Sequence, residues 1–182
     1  MKRDIYPKLL QWKSSSRRKP LLLQGARQTG KTFILKEFGR NEYRKTVYCN
    51  FEENPGLDQF FQRDLNPERV LAELSIYMNQ EIRPEADLII FDEIQVSNRA
   101  LNSLKYFAEQ KSDVHIAAAG SLLGVKLSGP GSFPVGKVNF LHLYPMTFME
   151  FLTAMEESRY RKLLEDVDAF VPLTEAFHTH LI

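Results

Sequence analysis

One cysteine, Cys49, is all the thiol that this chain of 182 residues carries. A disulfide framework is therefore excluded, and a reducing cytoplasm is the expected compartment. Cys49 lies in an apolar run and reads as a small buried hydrophobe. No stretch of some 18 apolar residues occurs, so no membrane span is expected. The opening MKRDIYPKLL is broken by Asp4 and Pro7 and does not read as a secretory signal. Internal repeats and low-complexity stretches are also lacking. The four histidines, His115, His142, His178 and His180, share no metal-ligand spacing with one another or with Cys49. His178 and His180 stand two apart, which on a helix points them to different faces, so no structural zinc site is expected.

What is present is a globular composition, 43% hydrophobic and 26% charged. The net charge of +1 is unevenly spread. Residues 1–19 hold Lys2, Arg3, Lys8, Lys13, Arg17, Arg18 and Lys19 against Asp4 alone, a local +6 that leaves −5 for the remainder. Such an arm suits either a solvated surface or contact with nucleic acid, for which no motif is visible.

Strand and helix signals alternate along the chain. Residues 4–13 suggest a short helix, followed by a polar linker to Lys19. Brief apolar runs at 20–24, 46–51, 88–91, 114–119 and 138–143 read as five strands. Helices are expected from Lys31 to about Arg40, from Pro67 with Val70, Leu71, Leu74, Tyr77 and Met78 in step, and along Leu101, Leu104 and Phe107. Thr147 and Glu150 form a capping box for a helix after the fifth strand, whose buried side is read as Phe148, Phe151, Leu152 and Met155. Residues 124–137 are rich in Gly, Pro and Ser and read as a mobile loop. Short continuous apolar strands separated by helices predict a three-layer α/β fold around a five-stranded parallel sheet. The expected boundaries are a helix and basic linker over 1–19, a core over 20–145 and the start of a helical region over 146–182.

Gly25-Ala26-Arg27-Gln28-Thr29-Gly30-Lys31-Thr32 matches the phosphate-binding pattern G-x-x-x-x-G-K-[ST], after an apolar strand and before a helix. Glycine is needed where a Cβ would collide or where φ is positive. Successive backbone N–H groups and the helix start at Lys31 make an anion cradle that runs on to Phe33. Lys31 would reach the β and γ phosphates of a nucleotide and Thr32 would offer its hydroxyl to Mg²⁺. The other half of such a site is an acid closing a buried strand, here Asp92 for Mg²⁺ with Glu93 beside it as base for the attacking water. Ser121, closing the fourth strand, is either a reporter of the γ-phosphate or a cap. Asn50, closing the second, either hydrogen-bonds Glu93 or is an ordinary turn residue. Gln95 is left open as an assistant near the γ-phosphate.

The segments GARQTGKT, LIIFDEIQ, AAGSLLG and SFPVGKVNFLHLYPMTFMEFL, in this order, resemble the AAA+ superfamily ATPases whose ATPase domain is usually followed by a C-terminal domain of unknown function. The resemblance runs from about Lys19 onward. It implies a P-loop NTPase fold of AAA+ type with strand order 5-1-4-3-2, ATP as the nucleotide, and a switch position at Asn50. It also supports the roles given to Lys31, Thr32, Asp92, Glu93 and Ser121. Many relatives carry Gly-Arg where this chain has Gly136-Lys137, so an arginine finger is not expected at Lys137, nor at Arg99. A helical pattern from Thr174 through Phe177 and Leu181 reaches Ile182 without a stop signal, which reads as a piece of a longer protein. The function expected is a Mg²⁺-dependent ATPase coupled to its own C-terminal domain or a partner, with a homo-oligomer left open. The alternative is a nucleotide-gated binding module with negligible hydrolysis.

Overall fold

The structure is a computed structural model that describes residues 3–121, 136–156 and 158–165. Most of the Gly-rich segment 124–137, and Thr174, Phe177, His178, His180 and Leu181, lie outside the described residues. Two compact units are present, one spanning Asp4–Pro145 and the other built on Arg3 and the chain from Met146 onward.

In the larger unit, α1 (Tyr6–Ser14) precedes β1 (Leu21–Gln24), α2 (Lys31–Glu42) and β2 (Lys45–Asn50). A 3₁₀ turn (Pro55–Phe61), α3 (Pro67–Tyr77), β3 (Asp87–Asp92) and a second 3₁₀ turn (Ile94–Val96) follow. The unit closes with α4 (Asn98–Gln110), β4 (His115–Gly120) and β5 (Asn139–His142). All strand pairs are parallel, in the order β2-β3-β4-β1-β5. Read from the other edge this is the order 5-1-4-3-2 that the resemblance implies.

Period-2 alternation divides each central strand between two buried faces. Leu21 and Leu23, Leu88 and Ile90, and Ala117 and Ala119 pack with α1 and α2 around Leu9, Trp12, Ile34, Leu35 and Phe38. Leu22, Ile89, Phe91, Ile116 and Ala118 face the opposite layer, where Phe51, Phe61, Val70, Leu74, Leu104 and Phe107 cover them. Both faces are dry, which is why these strands carry no polar alternation. Helix α1 belongs to this unit: Leu9 and Trp12 are buried in its core, so the basic N-terminal stretch is anchored by an apolar face rather than hanging free.

The starts of α3 and α4 carry side-chain caps. The Asn66 side chain accepts the N–H groups of Glu68 and Arg69 ahead of Pro67, and Ser97 accepts that of Ala100. Tyr77, in step with Val70 and Leu74, is exposed; its hydroxyl accepts a bond from Asn54 Nδ2 and its ring meets Phe60 edge-on. At the start of β3 the buried Asp87 carboxylate accepts two bonds from Arg44, at 2.9 and 2.6 Å, and the N–H of Arg83.

The smaller unit contains α5 (Phe148–Ala154) and α6 (Ser158–Glu165). The Thr147–Glu150 capping box is complete in both directions. The buried side of α5 differs from the expectation. Leu152 is buried, but Phe148, Phe151 and Met155 are exposed. Glu150 takes the inward position because its carboxylate meets the guanidinium of Arg3 at 2.9 Å and caps the helix through its other oxygen.

His115 begins β4 in a buried aromatic box, with Nδ1 2.7 Å from the Tyr43 hydroxyl and the Trp12 ring edge-on. Burial, reinforced by the charges of Arg18 and Lys13, pushes its imidazole down to about 4. An unfolded histidine titrates near 6.5, so between these values the unfolded chain holds a proton that the folded chain refuses. The contribution is therefore present above about 6.5 and is lost as pH falls toward 4. Between about pH 7 and about pH 5 the wild type should lose roughly 2 kcal/mol through this residue. Urea unfolding of wild type and His115→Phe across that interval measures the difference. An equal loss in both would place the pH dependence elsewhere.

Candidate functional site

The parallel strands end at one edge of the sheet, and the chain leaves β1 there into the segment Gly25–Gly30. Two backbone features bend this segment round. Gln28 and Gly30 have positive φ, 61° and 91°, and Gly30 caps α2 in that left-handed conformation. Gly25 is required for a different reason: a Cβ there would stand 2.2 Å from the Leu143 carbonyl oxygen, just past β5. The two glycines of the pattern thus answer its two requirements separately. Lys31, in the first turn of α2, is buried, and its Nζ donates to the carbonyls of Gly25 and Ala26 at 3.1 and 2.6 Å. The ammonium therefore lies inside the loop's own arc.

Strand β3 delivers Asp92 to the same edge. Positions 88, 90 and 92 share the face covered by α2, so the carboxylate points at that helix. Thr32 Oγ1 donates to Asp92 Oδ2 at 2.7 Å, joining the loop to the acidic strand. Tyr48 Oη donates to the same oxygen at 2.8 Å, and Asn50 Nδ2 donates to Tyr48 Oη at 3.2 Å. The ammonium of Lys36, on α2, stands 3.4 Å over the Tyr48 ring. Burial and the bond to Asp92 raise the Tyr48 phenol above its ordinary value, so it remains a donor. Tyr48 was not singled out in the sequence. Its signal was available: it precedes Asn50 by two, so both share one face of β2, in register with Ile90 and Asp92.

Glu93 leaves the strand in the left-handed region, φ 49° and ψ 41°, a conformation that a non-glycine residue adopts at a cost. The turn carries its carboxylate into a cavity of about 450 Å³ that is also lined by Arg27, Gln28, Gly30, Lys31, Thr32, Phe33 and Glu52. Phe33 is half exposed beside it. Of the two readings of Asn50, the bond to Glu93 is not formed and the turn is. Asn50 Oδ1 instead accepts the N–H groups of Glu52 and Glu53, at 2.9 and 3.1 Å, in a side-chain turn that closes β2. The reason is register: Asn50 stands level with Asp92, whereas Glu93 has turned out of the strand line. Glu93 accepts its hydrogen bond from Gln95 Nε2. Ser121 is buried after β4; because Gln24 pairs with Gly120, it stands level with Gly25.

Neither residue considered for an arginine finger faces the cavity. Arg99 Nε bonds the Phe61 carbonyl. Lys137 pairs with Glu109 at 2.9 Å, two residues before β5 begins, hence at the sheet edge opposite the loop. Cys49 is buried and free, and burial pushes its thiol up to about 12, so it is an inert core residue. Among the described residues no group of three His, Cys, Asp or Glu side chains could hold a metal ion, and no helix is long and apolar enough to cross a membrane.

A three-layer sheet of this order, with a glycine-bent loop entering a helix beside an acidic strand, defines the chain as a P-loop nucleotide-binding protein. A family model described as an AAA domain matches residues 17–152, and the chain belongs to that family. It is a nucleotide-binding domain of ATPase type. None of the curated proteins compared matches the chain.

Proposed function

We propose that the chain binds ATP with Mg²⁺, hydrolyses it, and couples the nucleotide state to a C-terminal or partner domain in the cytoplasm. The observation that carries this reading is the 2.7 Å bond between Thr32 and Asp92, with Glu93 on the adjoining cavity. A hydroxyl and a carboxylate in contact suit a hydrated Mg²⁺, which takes oxygen ligands and leaves most of its shell to water and phosphates. The bent loop suits phosphate because Gly25 leaves no room for a Cβ.

In this reading the N–H groups from Gly25 to Thr32 bind the phosphates, and Lys31 exchanges the Gly25 and Ala26 carbonyls for β and γ oxygens. Phe33 lies beside the nucleotide. Thr32 and Asp92 hold Mg²⁺, which neutralises phosphate charge when bound. Glu93 orients the attacking water and takes its proton. Ser121 meets the γ-phosphate from the end of β4. Asn50 acts through Tyr48 on Asp92, not as a direct switch on Glu93.

Binding is tested by thermal shift. A hundredfold excess of Mg²⁺-ATP over Kd should add about 2.7 kcal/mol of stability, several degrees at this size. Lys31→Ala should abolish most of that shift. The shift, not the melting point, is the measure, because Lys31 also bonds two loop carbonyls in the protein itself. An equal shift in both proteins would sink the assignment of the phosphate site.

A second reading, a nucleotide-gated module with negligible hydrolysis, is favoured by one observation: Arg99 and Lys137 are both engaged away from the cavity. Single-turnover hydrolysis separates the two.

A further inference from the structure

We propose that Gln95 is a positioning residue through which the end of β4 sets the pose of Glu93. The proposal rests on Glu93 being the base, and three observations carry it. First, Gln95 Nε2 donates to Glu93 Oε2. A carboxylate only accepts, so the amide must present its NH₂ group to Glu93 and its carbonyl to the other side. Second, that carbonyl oxygen, Gln95 Oε1, is buried and has no hydrogen-bond partner among the described residues. Buried acceptors are rarely left so, and among the described residues no polar contact holds the amide from behind. Third, Oε1 abuts Gly120: a Cβ built on Gly120 would stand 2.6 Å from it, with Ile94 Cγ2 next at 3.5 Å.

What keeps the amide against Glu93 is therefore the wall formed by Gly120, at the end of β4. The segment itself has little freedom. Glu93 is fixed to β3 in its left-handed turn, Val96 N–H bonds the Glu93 carbonyl, and Ser97 caps α4. The Gln95 side chain is the adjustable part. Any shift of Gly120 toward or away from β3 alters the space behind the amide and hence the direction of the Glu93 carboxylate. Because Ser121 follows Gly120 and stands level with Gly25, a contact made by Ser121 at the phosphate loop reaches Glu93 through Gln95. In the pose shown Glu93 lines the cavity, so Gln95 holds it toward the reacting position.

Gly120→Ala is the direct lever, since the one close contact of its methyl is with the far end of a flexible side chain, and it should displace the amide without unfolding the strand. The Gln95 side-chain NH₂ signals of the 182-residue protein, assigned by their loss in Gln95→Ala, report the contact without any turnover. They are expected to shift in Gly120→Ala and in Glu93→Ala alike. Single-turnover ATP hydrolysis should fall at least about tenfold in Gln95→Ala and in the size-matched Gln95→Met, as for a misplaced catalytic group, with ATP affinity unchanged. Gly120→Ala should lower it too, with no further effect once Gln95 is Ala. Gln95 signals unmoved by Gly120→Ala, or rate losses that multiply in the double variant, would overturn the link. Should Gly120→Ala not fold, full-rate hydrolysis by Gln95→Met would overturn it as well. A wild type without hydrolysis would refute the ATPase reading instead, while the NH₂ signals still decide the contact.

Discussion

Glu93→Gln is expected to bind Mg²⁺-ATP as wild type does and to lose hydrolysis by about 10²–10⁴-fold, the contribution of a placed general base. The substitution is nearly isosteric and leaves an oxygen to accept from Gln95, so the turn at Glu93 should persist. It does not reach Asp92, whose Oδ2 is held by Thr32 and Tyr48. Asp92→Asn should behave differently. It replaces a charged acceptor that takes two hydroxyl donors with a neutral amide, and it should weaken binding in a way that depends on Mg²⁺. Measuring affinity with and without Mg²⁺ beside single-turnover rates separates the two carboxylates. Wild-type turnover by Glu93→Gln would remove Glu93 from the role of base.

The fold was legible because the central strands are brief, apolar and bounded, and several helix starts carry a local signal. Pro67 after Asn66 and the Thr147–Glu150 pair act within one turn of chain, and both form as read. The phosphate loop was legible for the same reason, since its glycines answer to contacts within and immediately beside the loop. The 3₁₀ turn at Pro55–Phe61 was not read, although Leu57, Phe60 and Phe61 bury one side of it. Seven residues, little more than two 3₁₀ turns, are too few for periodicity to stand out.

Less legible was everything that depends on two segments meeting. Between the two readings of Asn50 the segment alone does not choose; register sets it level with Asp92 and leaves Tyr48 to make the contact. Gln95 gains its partner only because Glu93 turns into the left-handed region, which nothing in LIIFDEIQ announces. The exposed side of α5 has the same origin: Phe148, Phe151 and Met155 show helical spacing, yet Glu150 takes the buried place because Arg3, 147 residues away, is there to pair with it. Spacing along one segment tells which residues share a face; which face is covered depends on the partner.

The chain as a monomer is expected to turn over Mg²⁺-ATP slowly, about 10³–10⁵-fold below the rate reached when an arginine meets the transition state. Within the unit Asp4–Pro145, several arginines are held away from the cavity. Arg44 is held by Asp87, Arg69 by Asp64 and Glu73, Arg83 by Glu81, and Arg99 by the Phe61 carbonyl. Arg18 bonds the Lys13 and Ser112 carbonyls, at the sheet edge where β4 begins. Arg27 is the one arginine lining the cavity, and it is part of the loop that would wrap the phosphates. The finger should therefore come from outside this unit, with a second copy as the candidate to test. Single-turnover rates measured against protein concentration test this: a rate that climbs with concentration identifies a neighbouring copy as the donor. Fast turnover independent of concentration, and lost in Glu93→Gln, would show that the chain completes its own site. Loss of that rate in Arg27→Ala would then assign the completing charge to the loop itself.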